Sequence, residues 1–148
     1  MRELIDIQHD LKVGKGRNNP SGGYSYRSCE DILKALREPL YKVNCFVTLT
    51  DDMVMVGERI YVKATATITN ENGASVSTTA SARESDINAR MLDGQNTGAA
   101  SSYARKYALC GLFAIDDEVD LDSPAEEEPK KETVKTTRKR VTKQPKML

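Results

Sequence analysis

Cationic and aromatic side chains gather in two stretches of this sequence, and their chemistry suits a phosphate backbone with bases attached. Between Leu11 and Cys29 stand Lys12, Lys15, Arg17 and Arg27 with no acidic residue among them, and Tyr24 and Tyr26 lie just before Arg27. Cations neutralise phosphates while aromatic rings take stacked bases, which is how single strands are held without sequence readout. The same segment also reads as a solvated loop whose tyrosines pack on the domain. The second stretch is the last apolar-periodic segment. At about 100° per residue, Ser101, Ser102, Arg105 and Lys106 fall within an arc of about 140° on a helix, with Tyr103, Tyr107, Ala99, Ala100 and Ala104 around the rest. Two hydroxyls and two cations on one stripe fit a phosphate backbone, and equally fit an ordinary polar helix face. Tyr61, Lys63 and Arg83 add a third set, on the polar side of a pair of alternating segments.

Enzyme signatures are weak by comparison. Gly14-Lys15-Gly16-Arg17 lacks the spacing of a phosphate-binding P-loop and follows no strand. His9 is the single histidine, so a Ser–His–Asp or Cys–His arrangement would depend on a helical surface position. The run Asp116-Asp117-Glu118-Val119-Asp120-Leu121-Asp122 could bind a divalent cation, and a metal-dependent nuclease using Asp116, Asp117 and Asp120 is the alternative reading. The run has no EF-hand glycine and no partner motif, and a solvated helix exit explains it as well. Cys29, Cys45 and Cys110 are odd in number and widely separated, so they suit neither a disulfide scaffold nor a structural zinc site. No metal or other cofactor is expected.

The elements that must position these residues follow from periodicity. Residues 3–13 carry Leu4, Ile7 and Leu11 at helical spacing. A Gly-, Asn- and Ser-rich loop covers 14–23. Ser28 and Asp31 form a capping-box pattern that starts a second helix with Ile32, Leu36 and Leu40 as its core stripe. Pro39 predicts a kink or stop near Glu38. Phe46–Leu49 and Met53–Val56 read as short strands. Arg59–Thr69 alternates strictly, with Ile60, Val62, Ala64, Ala66 and Ile68 on one face, then Asn70-Glu71-Asn72-Gly73 turns the chain. Ala74, Val76, Thr78, Ala80 and Ala82 repeat the alternation on the return. A loop from Glu84 to Gln95 leads to a helix over 97–113 whose small residues suit close packing on a sheet. The fold class is therefore α+β, an antiparallel meander packed against helices.

Charge divides the chain. The total is 22 basic and 22 acidic residues, but 123–148 hold eight basic side chains against four acidic, leaving 14 basic and 18 acidic in 1–122. Residues 1–122 are expected to fold as one domain. Residues 123–148 lack any core-forming pattern and are expected to be a disordered basic tail. The net charge of −4 on the folded part means that nucleic-acid contact must come from local patches. No apolar run is long enough for a membrane span and no signal peptide is present, which places the expected site of action in the cytoplasm.

Three blocks together resemble the Erf (essential recombination function) family of phage recombination proteins. They are Tyr24-Ser25-Tyr26-Arg27-Ser28-Cys29-Glu30-Asp31-Ile32-Leu33, then Tyr61-Val62-Lys63-Ala64-Thr65-Ala66-Thr67-Ile68 with Ala82-Arg83-Glu84, and Thr97-Gly98-Ala99-Ala100-Ser101-Ser102-Tyr103-Ala104-Arg105-Lys106-Tyr107-Ala108-Leu109 followed by Gly111-Leu112-Phe113-Ala114-Ile115-Asp116-Asp117. The resemblance covers nearly all of 1–122 and implies ATP-independent binding of single-stranded DNA and annealing of complementary strands. It further implies a β-β-β-α core, ring or filament assembly in the host bacterium, and a single-strand-binding protein or a phage exonuclease as partner. Arg105 and Lys106 carry over as phosphate contacts on the helix after the meander. With Tyr24, Tyr26, Arg27, Lys63, Arg83, Ser101 and Ser102 they make up the expected DNA-binding set. A protein-interaction adaptor tethered by its tail is the third reading.

Overall fold

The computed structural model describes residues 1–86 and 92–116. The expected tail, the boundary at residue 122, and Asp117 and Asp120 of the acidic run all lie outside the described residues. The element order is α1 (Arg2–Asp10), β1 (Arg17–Asn19), β2 (Tyr24–Tyr26), α2 (Cys29–Lys42), β3 (Cys45–Val56), β4 (Arg59–Asn70), β5 (Ser75–Arg83) and α3 (Asp93–Phe113). The fold is α+β. Strands β3, β4 and β5 form an antiparallel meander in sequential order, and α3 lies across β4 and β5.

The strict alternation of β4 decides which face is covered. Val62, Ala64, Ala66 and Ile68 are buried beneath α3. Their neighbours Tyr61, Lys63, Thr65, Thr67 and Thr69 therefore point to the other side, which no described element covers. That bare face is a grid of hydroxyls. Across the register Thr48 pairs with Thr67, which pairs in turn with Ser77, and Thr50 pairs with Thr65, which pairs with Thr79. Antiparallel sheets with one face on the core and one in water show this division.

Small residues let α3 approach closely. Ala100, Ala104 and Ala108 face Ala64 and Ala66 in the core, joined by Leu109, Leu112 and Phe113. Where α3 passes over β5, a methyl group on Gly111 would lie 3.0 Å from the Thr78 Cγ2 atom, so the absence of a side chain there permits the contact. Ile7 of α1 with Ile32 and Leu36 of α2 completes the core. Two polar links fix α1: Gln8 Nε2 donates to the Leu112 carbonyl at 2.8 Å, and Glu3 accepts from Asn70 Nδ2 at 3.0 Å.

Several boundaries differ from the sequence reading, each for a local reason. A small hairpin, in which β1 pairs with β2, begins inside the expected loop over 14–23 and ends beyond it at Tyr26. Its turn is held by Asn19, whose side-chain oxygen accepts from the Ser21 and Gly22 amides. Helix α2 continues to Lys42 with Pro39 inside it, so of the kink or stop expected near Glu38, the stop does not occur. Pro39 deprives the helix of one amide donor, yet the helix runs three residues further. Strand β3 is one continuous strand rather than two, because Asp51 at the supposed break turns inward to α3. Strands β3 and β4 also outrun β5, whose pairing ends at Tyr61 with Arg83, so the tip bearing Met55, Val56 and Ile60 projects past β5.

Candidate nucleic-acid interface

The structure distributes the expected DNA-binding residues over three places rather than one surface. Tyr24 and Tyr26 sit on β2, Lys63 and Arg83 on the bare sheet face, and Ser101, Ser102, Arg105 and Lys106 on α3, which covers the opposite side of the sheet.

In the hairpin, Tyr24 and Tyr26 are exposed and meet edge to face, with ring centroids 6.4 Å apart. Tyr24 is steadied by Asn19, whose Nδ2 donates to its hydroxyl at 3.1 Å. The cations around them are less available than the sequence suggests. Arg17 makes a two-point pair with Asp31, Nε to Oδ2 at 2.7 Å and Nη2 to Oδ1 at 3.0 Å. The hydrogen bond from Arg17, with those from Ser28, holds the Asp31 carboxyl far below the usual carboxylate range. Asp31 also closes the capping box, accepting from the Ser28 amide while its own amide donates to Ser28 Oγ. The hairpin is thus clamped to the start of α2.

Arg27 is less accessible than the sequence suggests. It is only 5% exposed, and its Nη2 donates to the Asp116 carbonyl at 2.7 Å. The side chain joins the start of α2 to the exit of α3 from inside the domain. Asp116 itself is exposed. Among the described residues, no group of three or more His, Cys, Asp or Glu is placed to hold a metal.

On the bare sheet face Lys63 is exposed, in register between Asp52 and Ser81. Arg83 bonds through Nη2 to Asp86 at 2.6 Å, and this bond lowers the Asp86 pKa.

Helix α3 splits its polar stripe. Ser101 and Arg105 turn toward β3, where Asp51 receives both: Ser101 Oγ donates to Oδ2 at 2.6 Å, and Arg105 approaches through Nε at 3.0 Å and Nη2 at 2.9 Å. Burial works to raise the Asp51 pKa, but the hydrogen bonds from Arg105 and Ser101 outweigh it and the carboxyl sits below its ordinary value. Arg105 is correspondingly raised by its bond to Asp51. Ser102 stays exposed. Lys106 takes a different direction from Arg105. Its Nζ lies 5.1 Å from the Tyr103 ring centroid and 4.8 Å from that of Tyr107. The two rings are near-parallel, 25° apart in plane with centroids 6.4 Å apart, and both are exposed.

Tyr103 and Tyr107 were missing from the expected set, although the spacing of four residues with Lys106 between them was a usable signal. The block from Thr97 to Asp116, which carries the strongest family resemblance, therefore holds both the buried alanine seam and the exposed aromatic–cation group.

The ERF superfamily model matches residues 1–147. The chain belongs to the ERF superfamily. It is similar to the essential recombination function protein of Salmonella phage P22, at 51% identity over 121 residues, 81% of this chain. Those residues cover 57% of the relative, so this ERF chain matches little more than half of its length. Among the described residues of the ERF domain, no helix is long and apolar enough to cross a membrane.

Proposed function

We propose that this ERF-superfamily chain acts in phage homologous recombination, where it binds single-stranded DNA and anneals complementary strands without ATP. The reading rests first on family membership and on the relative named for an essential recombination function. The structural observation that carries it is the outer face of α3, where Lys106 sits beside two exposed tyrosines with Ser102 one residue before them. A cation, a hydroxyl and ring faces suit phosphates and base faces, and they read no base edge, as an annealing protein of any sequence requires.

The active species is several copies acting together. A folded part with a net acidic charge grips DNA poorly alone, whereas aligned local patches along one strand add up. The projecting β3–β4 tip offers a contact for such assembly. Met55, Val56 and Ile60 are exposed there, with Met55 at 72%, and exposed apolar clusters of this kind mark association surfaces. The partners proposed are single-stranded DNA and further copies of the chain, with a single-strand-binding protein or a phage exonuclease as a recombination partner.

The test is to mix the purified protein with complementary fluorophore- and quencher-labelled oligonucleotides in EDTA without ATP. Faster quenching than spontaneous hybridisation, with both strands intact on a denaturing gel, is the expected result. Strand degradation that requires Mg²⁺ would replace this reading with the nuclease one. An absence of any DNA interaction would leave a protein adaptor.

A further inference from the structure

We propose that Tyr103 and Tyr107 are the base-stacking residues of the chain and that Lys106 between them meets the phosphate joining the stacked nucleotides. The inference rests on the single-strand-binding reading and assigns its base contacts to the outer face of α3.

Three observations point to it. Both rings are about half exposed, Tyr103 at 52% and Tyr107 at 45%, on a helix whose opposite side is sealed by alanines against the sheet. A tyrosine serving the core would bury its ring, and the core contacts of α3 are made by Ala100, Ala104, Ala108, Leu109, Leu112 and Phe113. Next, the rings are pre-arranged, within 25° of parallel, on consecutive turns of a rigid helix. Finally, the Lys106 ammonium is within 5.1 Å of one centroid and 4.8 Å of the other, so the positive charge lies beside both rings rather than out in solvent. A phosphate approaching the ammonium brings its flanking bases to the ring faces. The charge complementarity picks an anionic strand with planar substituents as the occupant, rather than an apolar partner.

Ring spacing bears on the conformation of that strand. Bases in a B-form stack rise about 3.4 Å per nucleotide. The ring centroids are 6.4 Å apart, nearly twice that step, so two consecutive bases occupy the two rings only when the strand is drawn out and unstacked. Stacking engages base faces and leaves the Watson–Crick edges outward. A strand held in this way is extended and open to pairing, which is the state an annealing reaction consumes.

The experiment compares binding of labelled oligothymidylate and of an abasic oligomer of equal length, by fluorescence anisotropy, for the wild type and for Tyr103→Ala/Tyr107→Ala. The wild type should favour oligothymidylate by about tenfold or more, as loss of stacked bases usually costs at least that much. The alanine variant should bind both oligomers alike, while Tyr103→Phe/Tyr107→Phe should retain the preference. A second readout uses the absence of tryptophan from the chain. The fluorescence of Tyr107→Trp should be quenched by oligothymidylate and not by the abasic oligomer. A folded alanine variant with an undiminished preference would overturn the stacking proposal and leave single-strand binding intact. An altered mass in light scattering with unchanged preference would overturn it in favour of a contact between copies. Failure of the wild type to bind oligothymidylate would remove the DNA-binding reading itself.

Discussion

Asp51 on β3 and Arg105 on α3, 54 residues apart in sequence, form a bifurcated ion pair that Ser101 completes from one turn earlier on the helix. The pair does two things at once. It pins α3 over the meander, and it occupies the charge of an arginine expected from the sequence to meet phosphate. Any phosphate that reaches Arg105 competes with a carboxylate already in place.

Replacing Asp51 by Asn should therefore strengthen single-strand binding at low salt by a few-fold. The salt dependence should steepen by up to about 0.7 in log–log slope if one further phosphate is engaged. Arg105→Ala should lower the unfolding free energy by about 1 kcal/mol, the usual scale for a charge-assisted bond that remains partly in water. Lys106→Ala, on the exposed side, should change stability by less than about 0.5 kcal/mol. Denaturant melts together with binding isotherms at several salt concentrations check all three. Weaker binding by Asp51→Asn would show that the ion pair presents Arg105 to DNA rather than withholding it.

Acid should unfold the domain through its paired carboxylates. Asp31, Asp51 and Asp86 all have pKa values depressed in the folded state. A depressed carboxylate contributes stability that is present above its unfolded value, about 3.9, and is lost as pH falls toward the folded value. The melting temperature is expected to stay nearly level from pH 7 to about 5 and to drop below about 4. Asp31→Asn should flatten that drop, because it removes the group held lowest. A profile identical to the wild type would show that the pair with Arg17 is not retained in solution.

Arg27 should behave as a core residue. Arg27→Ala removes a buried side chain and its bond to the Asp116 carbonyl, at a cost of about 2–4 kcal/mol. The variant should melt earlier, and the fraction that remains folded should bind DNA with wild-type salt dependence. Intact stability with a shallower salt slope would return Arg27 to the interface.

The projecting β3–β4 tip should govern assembly. Met55→Glu and Val56→Lys should lower the mass seen by light scattering at micromolar protein, with the melting temperature unchanged because both positions are exposed. A multimer of the same size in both variants would move the contact elsewhere, with the unpaired edges of β3 and β5 as the next place to look.

Elements governed by neighbours in sequence were legible before the structure. The pairing of Ser28 with Asp31 sets the start of α2, and the two-residue period of β4 names the buried face. The small residues of α3 announce a helix lying close to a sheet. What stayed hidden depends on partners distant in the chain. Arg105 and Lys106 are adjacent and alike in charge, and only Asp51 and the two tyrosines separate their roles. Arg17 reads as a loop cation until Asp31 is seen to hold it. Arg27 reads as part of an exposed basic patch until the end of α3 closes over it. The β1–β2 hairpin was hidden because its turn depends on the Asn19 side chain rather than on alternating apolar residues.

The alanine seam between α3 and the sheet has a consequence for how the chain tolerates change. Ala100, Ala104 and Ala108 are buried with Ala64 and Ala66 in this seam, and a methyl group on Gly111 would already lie only 3.0 Å from the Thr78 Cγ2 atom. Each added carbon there would lift the helix, and with it the height and tilt of whatever α3 displays. Methyl groups also contribute less apolar burial than longer chains, at about 0.8 kcal/mol per CH₂ forgone. The domain thus exchanges thermal reserve for a fixed mounting. A saturation library should find the seam almost closed to substitution, while the hydroxyl grid behind the sheet drifts with little effect on folding.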